Sequence, residues 1–277
     1  MEIAGRIALV TGASSGMGAA IARSLAQAGA EVLLLARREE ELERVAAGIQ
    51  MAGGKARVYA IDLTDSEAIG ALAARITREA GTPDIIVNNA GAGQWKFIED
   101  TSPAEARQMM ALPYFAAFDV TRAFIGDMLT RNSGHIVNMS SAASRFVWPG
   151  AAAYTAARWA VRGFTEALRA DLYGTGIGVT LYESTQVESP YWENNPGSRE
   201  RIPKIGRLLV RTLHPEEVGE AVVAGIRANR RVVVIPFMLK IVYFQHYFFP
   251  WLVQWLMNVT GYRRKANPRV GSKATSG

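Results

Sequence analysis

Short apolar runs alternate with amphipathic stretches along most of the chain. The runs at residues 7–10, 31–36 and 84–87 are nearly continuous in apolar side chains, the pattern of strands covered on both faces. Further strands are expected at 55–61, at the run ending in Ser140-Ser141, at 177–182 and at 231–235. The stretches between them carry apolar residues at helical spacing. Glycine is the usual stop after a helix, so the first helix should end at Gly29 and the next, from Glu39, at Gly53-Gly54. Thr64-x-x-Glu67 and Ser102-Pro103-Ala104-Glu105 each read as a capping box. The helix after Ser102 should reach about Leu129, with a kink at Pro113, which has no N–H to donate. This alternation predicts an α/β protein: a Rossmann-like, doubly wound, mostly parallel sheet of seven strands with helices on both faces.

Composition narrows the class. The 277 residues are 49% hydrophobic and 20% charged, which suits one large globular core. There is no cysteine, which excludes a disulfide framework, a thiolate metal site and a thiol nucleophile. No His or carboxylate cluster suggests a metal, and no nucleic-acid partner is expected. The first residues run straight into the first predicted strand, so no secretory leader is expected. A cytoplasmic location follows, with peripheral contact to the inner membrane surface as an extension of it. The formal net charge is +6, and much of it sits in Arg263, Arg264, Lys265, Arg269 and Lys273.

The first candidate chemistry lies at Thr11-Gly12-Ala13-Ser14-Ser15-Gly16-Met17-Gly18, between the first strand and the first helix. The glycines permit a sharp turn and a close approach to a ligand. The helix start behind them offers free N–H groups and a positive dipole end to an anion. An ordinary βα turn has the same local pattern, so the rest of the chain decides. Arg37 and Arg38 follow the second predicted strand, whose end faces the adenosine ribose in a dinucleotide fold. An acidic residue there would suit NAD, whereas the arginine fork suits a 2′-phosphate. NADP(H) is therefore the expected cofactor; the alternative is that both arginines pair with the acidic run from Glu39 to Glu43. Asp62 has two readings, beside an adenine or as a turn residue. His135 reads as structural, early in a buried strand.

Three motifs together resemble the short-chain dehydrogenase/reductase family: the TGxxxGxG turn, Asn88-Asn89-Ala90-Gly91 after the fourth strand, and Ser141 with Tyr154-x-x-x-Arg158. The resemblance implies a cofactor site formed by Gly12, Ser14, Ser15, Gly16, Met17, Gly18, Asp62, Leu63, Asn89, Ala90, Gly91, Tyr154, Arg158, Val187 and Ser189. It implies a catalytic set of Ser141, Tyr154 and Arg158. In the family the tyrosine moves a proton to or from the substrate oxygen, the serine holds that oxygen, and a lysine binds the nicotinamide ribose. A free tyrosine titrates near ~10, and a nearby cation favours its phenolate. Three positions depart from the family. Arg158 replaces the lysine, keeping the charge but never deprotonating. Pro113 falls where the family carries an asparagine that holds a water. Ser184-Thr185-Gln186-Val187-Glu188-Ser189 replaces Pro-Gly-x-Val-x-Thr, with Val187 retained and Ser189 in the threonine's place.

Residues 1–236 are thus read as a dinucleotide-binding catalytic domain, with a candidate substrate lid at about 188–212. Residues 237–277 form a separate segment. Its 23 residues from 237 to 259 are almost all apolar or aromatic, ~35 Å as a helix. Pro250 should break it in two. An interfacial placement through 237–265 is favoured over a spanning one, since Trp, Tyr and trailing basic residues suit a membrane surface. A dimer contact and a lid over the pocket stay open as alternatives, as does a homo-oligomer. The function expected is carbonyl–alcohol interconversion on an apolar, lipid-like small molecule. The other reading is a cofactor-binding scaffold with little redox turnover.

Overall fold

The computed structural model describes residues 1–91 and 93–264. Ala92 and the stretch 265–277, with Lys265, Arg269 and Lys273, lie outside the described residues. Seven strands form one sheet: β1 (Ile7–Thr11), β2 (Glu31–Ala36), β3 (Lys55–Ala60), β4 (Ile85–Asn88), β5 (Gly134–Met139), β6 (Ile177–Ser184) and β7 (Val232–Ile235). Their order is β3-β2-β1-β4-β5-β6-β7, and every pairing is parallel. The helices are α1 (Gly16–Gln27), α2 (Glu39–Met51), α3 (Ser66–Glu79), α4 (Pro103–Met110), α5 (Ala116–Thr130), α6 (Ala152–Asp171), α7 (Tyr191–Asn194), α8 (Lys204–Leu209), α9 (Pro215–Arg227), α10 (Phe237–Phe248) and α11 (Pro250–Thr260).

Side chains alternate across a strand, so the apolar runs feed two cores at once. Val10 and Leu34 pack with Ile21, Leu25, Leu42 and Val222 of α1, α2 and α9. Their neighbours Leu9 and Leu33 pack on the other face with Ile76, Phe124 and Leu168 of α3, α5 and α6. Strand order reverses between β1 and β4, and a ligand crevice opens at the carboxyl ends of strands at such a point.

Local signals hold at most boundaries. Ser102 Oγ accepts from Glu105 N (3.2 Å), and Glu105 accepts from Ser102 N (2.8 Å), the expected box. The box expected at Thr64 does not form. Asp65 caps α3 instead, accepting from Glu67 N and Ala68 N at 3.0 Å each. Its carboxylate stands one residue nearer the open N–H groups and carries a charge that the helix dipole favours. Around buried Pro113 the helical path widens into a π turn at Ala111–Phe115 before α5 begins. The missing proline N–H removes one ladder bond, and a π turn absorbs the change. The 237–259 segment breaks at Pro250 as expected, giving α10 and α11. Among the described residues no helix is long and apolar enough to cross a membrane.

His135 is buried in β5, and Gly178 on β6 makes room for it: a Cβ there would lie 2.5 Å from His135 Nδ1. Its Nε2 lies 2.8 Å from Thr180 Oγ1. Thr180 donates its own hydrogen to the Arg230 carbonyl (2.6 Å), so the ring nitrogen is the donor of this pair. Burial lowers the His135 pKa to about 4. In the unfolded chain it protonates near the ordinary ~6.5. Between these values the unfolded state binds more protons, so stability falls as pH drops from about 6.5 towards about 4. The loss is on the order of 3 kcal/mol. Urea midpoints measured across this range should fall steeply for the wild type and less for His135→Gln.

Candidate active site

The crevice begins with a lock between two turns. Thr11 Oγ1 accepts from Asn89 N and Ala90 N, both at 2.9 Å, and donates to the Val87 carbonyl at 3.4 Å. Asn89 Nδ2 donates to the Thr11 carbonyl at 3.0 Å and to that of Gly12 at 3.4 Å. Gly12 and Gly16 sit at positive φ, +65° and +53°, where glycine is favoured. At Gly18 a Cβ would lie 2.1 Å from the Gly12 carbonyl oxygen. The third glycine therefore lets α1 press directly on the turn.

The residues present fit a dinucleotide. The Ser15 side chain makes no capping bond at the start of α1, and the first turn holds no acid, so among the described residues its N–H groups and positive dipole end stay open for an anion. Gly12, Ser14, Ser15, Gly16, Met17 and Gly18 line a cleft beside this helix start. Arg37 and Arg38 line the same cleft. Arg38 Nη2 donates to Ser14 Oγ (3.2 Å) and Ser15 Oγ (3.1 Å). Among the described residues Arg38 makes no ion pair with the run from Glu39 to Glu43. Leu63, Asn89, Ala90, Gly91 and Ser189 also line the cleft. The buried Asn89 Oδ1 has no partner among the described residues.

Asp62 stands between two residues of the cleft lining, Ile61 and Leu63. Its Oδ1 accepts from Thr64 N (3.0 Å) and Thr64 Oγ1 (2.9 Å). These bonds, with the Arg37 charge, hold its carboxyl below the usual range. This is the bonding of a turn residue, and Asp62 is not itself among the residues lining the cleft.

A second, apolar cavity adjoins the cleft. Met17, Asn89, Gly91, Ser189 and Tyr191 line both. Ser141, Tyr154, Arg158 and Val187 line the apolar one. Ser141 caps a short turn by accepting from Ala143 N at 3.3 Å, which leaves its O–H able to donate elsewhere. Tyr154 and Arg158 share one face of α6, four residues apart. The Arg158 guanidinium carbon stands 4.9 Å from the Tyr154 ring centre. The guanidinium is buried against Gly91, where a Cβ would lie 3.1 Å from Nη2. Its Nη1 donates to the Met139 carbonyl at 3.4 Å, and its Nε is buried without a partner among the described residues. The altered loop after β6 still reaches the glycine turn: a Cβ on Gly16 would lie 3.1 Å from Ser189 Cβ.

Several residues of the site escape a reading of the sequence. Trp95 packs against Tyr154 with ring centres 5.0 Å apart and the planes tilted by 38°, and also meets Trp148 and Trp192. The Tyr191 hydroxyl donates to the Gly93 carbonyl (2.7 Å) and accepts from Trp95 Nε1 (3.0 Å). Burial pushes the Tyr191 phenol up, with a smaller push from Tyr154. Tyr191 thus stays a neutral prop. Beneath Ser141, the fully buried Glu183 accepts from Ser144 Oγ (2.6 Å) and from Arg145 Nε (2.9 Å). A charge buried this deeply needs such partners, and the pair pins the segment that follows Ser141. Tyr191 and Trp192 fall within the stretch 188–212 read as a candidate lid; Glu183 and Trp95 carried no signal in the sequence.

Known proteins resemble this chain in sequence and fold. A family model described as short chain dehydrogenase matches residues 6–199. The Drosophila melanogaster protein named dehydrogenase/reductase SDR family protein 7-like is 29% identical over 262 residues, covering 92% of this chain and 80% of its own. A fatty acyl-CoA reductase of Acinetobacter baylyi is 34% identical over 232 residues, covering 81% and 74%. Among solved structures, a metagenomic short-chain oxidoreductase in complex with NADP is 34% identical with a TM-score of 0.70, over 85% of this chain and 98% of its own. A short-chain dehydrogenase/reductase from Burkholderia phymatum in complex with NAD shares the fold at a TM-score of 0.81 and 23% identity, over 96% and 100%. With a matching family pattern over more than half its length, this chain belongs to the short-chain dehydrogenase/reductase family.

Proposed function

We propose that this chain is an NADP(H)-dependent oxidoreductase that interconverts a carbonyl and an alcohol on an apolar, lipid-like substrate. The observation that carries this reading is the position of Tyr154. It lines an apolar cavity that shares a wall with the cleft at the start of α1. Arg37 and Arg38 at that cleft favour the 2′-phosphorylated cofactor, since a guanidinium fork matches a phosphate. Gly12 to Gly18, with Asn89 to Gly91, would hold the dinucleotide. When bound, it supplies or accepts the hydride.

The chain's own residues then handle the oxygen. Tyr154 Oη gives its proton to the substrate oxygen during reduction and takes it back during alcohol oxidation. Proton transfer by a positioned side chain is worth about 10²–10⁴-fold in rate. The free O–H of Ser141 donates a hydrogen bond to the same oxygen, where charge develops. The Arg158 guanidinium holds a positive charge beside the Tyr154 ring without itself exchanging a proton. Trp95, Trp192 and Tyr191 exclude water around Tyr154. Phe146, Val187 and Ile205 extend an apolar wall suited to a long hydrocarbon group. The fatty acyl-CoA reductase among the relatives agrees with that class of substrate.

Two measurements test this reading. A screen of long-chain aldehydes and ketones, followed by NADPH absorbance, should find turnover that Tyr154→Phe lowers by about 10²–10⁴-fold. NADPH binding by fluorescence should survive that change. Binding without turnover on any apolar carbonyl would favour the scaffold reading, which Arg158 in the lysine position motivates. Separately, Arg38→Ala should weaken NADPH binding about tenfold, the loss of one charged hydrogen-bond partner, and leave NADH binding nearly unchanged. Wild-type preference for NADH would overturn the cofactor assignment.

A further inference from the structure

Helices α10 and α11 are apolar on two sides. The inner side is accounted for: Leu239, Val242, Val253 and Met257 are buried against Ala142 and Phe146 and line the apolar cavity. The outer side carries Phe237, Phe244, Tyr247, Phe248, Trp251 and Trp255, with Tyr247 80% and Trp251 70% exposed. Single exposed apolar residues are ordinary, but six exposed aromatics on two consecutive helices, with Phe248 packed on Phe244 and Tyr247, mark an interaction surface. Helix α8, which packs beside α11, adds Leu208, 81% exposed, together with Lys204 and Arg207.

Charge identifies the occupant. Residues 237–277 hold Lys240, Arg263, Arg264, Lys265, Arg269 and Lys273 and no Asp or Glu. These six residues equal the formal net charge of +6, so the remainder of the chain is balanced. Arg264 pairs with Glu99 at 2.8 Å; among the described residues Lys240 and Arg263 face no carboxylate. A two-fold contact would set this one-sign segment against its own copy. An anionic headgroup layer complements it, at ~1 kcal/mol per basic residue near the surface. Trp and Tyr are the side chains that settle at the headgroup level. The lengths agree with lying on a bilayer: 12 and 11 residues make ~18 and ~17 Å of helix, against a ~30 Å hydrocarbon core.

We propose that the outer face of α10 and α11 docks on an anionic lipid surface, and that the cavity beneath takes its apolar substrate directly from that surface. The docking stands on surface chemistry alone; the delivery of substrate rests on the oxidoreductase reading above. The inner side of the same two helices is a wall of the cavity that Tyr154 lines, so one helix layer separates the lipid from that cavity.

The full chain should sediment with phosphatidylcholine vesicles that contain phosphatidylglycerol, and less with phosphatidylcholine alone or at high salt. The double variant Phe244→Ser/Trp251→Ser should lose about tenfold or more of that affinity. The single variant Tyr247→Ser, at the most exposed large apolar residue of α10, provides a milder step should the double variant fold poorly. NADPH turnover of a detergent-dispersed substrate, run in parallel, should be unchanged in both. Vesicle binding without turnover would leave the docking standing and remove the oxidoreductase reading. No binding to the anionic vesicles, or equal binding by wild type and variants, would overturn the docking. So would a dimer in light scattering that the double variant converts to monomer.

Discussion

The Thr11 hydroxyl is the smallest part on which the candidate site depends. It accepts two backbone N–H groups from the Asn89 turn while Asn89 returns its amide to the carbonyls of Thr11 and Gly12. This ties the ends of β1 and β4 together at the point where strand order reverses. The crevice there would otherwise expose two turns with open backbone groups, which a folded chain does not leave unpaired without cost. Gly18 completes the arrangement, since a Cβ there would collide with the Gly12 carbonyl. The open N–H groups at the start of α1 are positioned by these contacts, not by the helix itself.

A second tier of buried polar contacts carries that order sideways. Asn88 Nδ2 bonds Thr121 Oγ1 at 3.0 Å and Asn138 Oδ1 at 2.8 Å, and Asn138 Nδ2 bonds Thr165 Oγ1 at 3.0 Å. These contacts join β4, β5, α5 and α6, so the helix with Tyr154 and Arg158 is registered to the strand before Ser141. Glu183 does the same from β6, through Ser144 and Arg145. Each contact links a different element to the same edge of the sheet, while Asn88 Oδ1 is buried without a partner among the described residues. The departures from the family pattern sit within this frame. Pro113 is absorbed as a π turn, and the loop from Ser184 to Ser189 still closes against Gly16.

The last two helices show how one sequence signal serves two surfaces. Apolar residues all around a helix mean that both sides need cover. Phe146 and Ala142 provide it on the inside. Within the described residues the outside is left to solvent. A wall of the cavity and an exposed aromatic face are thus the two sides of one pair of helices.

Much of the fold was legible in the sequence, because its signals are local. Strands showed as continuous apolar runs, helix starts as Ser102-Pro103-Ala104-Glu105, breaks as Pro113 and Pro250. The glycine turn, Asn88 to Gly91 and the Ser141–Tyr154–Arg158 spacing were legible for the same reason. Local pattern also misled where two acceptors competed: Asp65, not Thr64, caps α3, since a charge one residue closer wins. What only the tertiary structure decided were contacts between residues far apart in the chain. Trp95 reaches Tyr154, Tyr191 props Gly93, and Glu183 meets Arg145 because the sheet brings these segments to one edge. Asp62 turned to Thr64, and Arg38 to Ser14 and Ser15, for reasons of distance that composition cannot express. Which side of residues 237–260 faces inward was decided the same way, since a segment apolar on every side carries no periodicity to tell its faces apart.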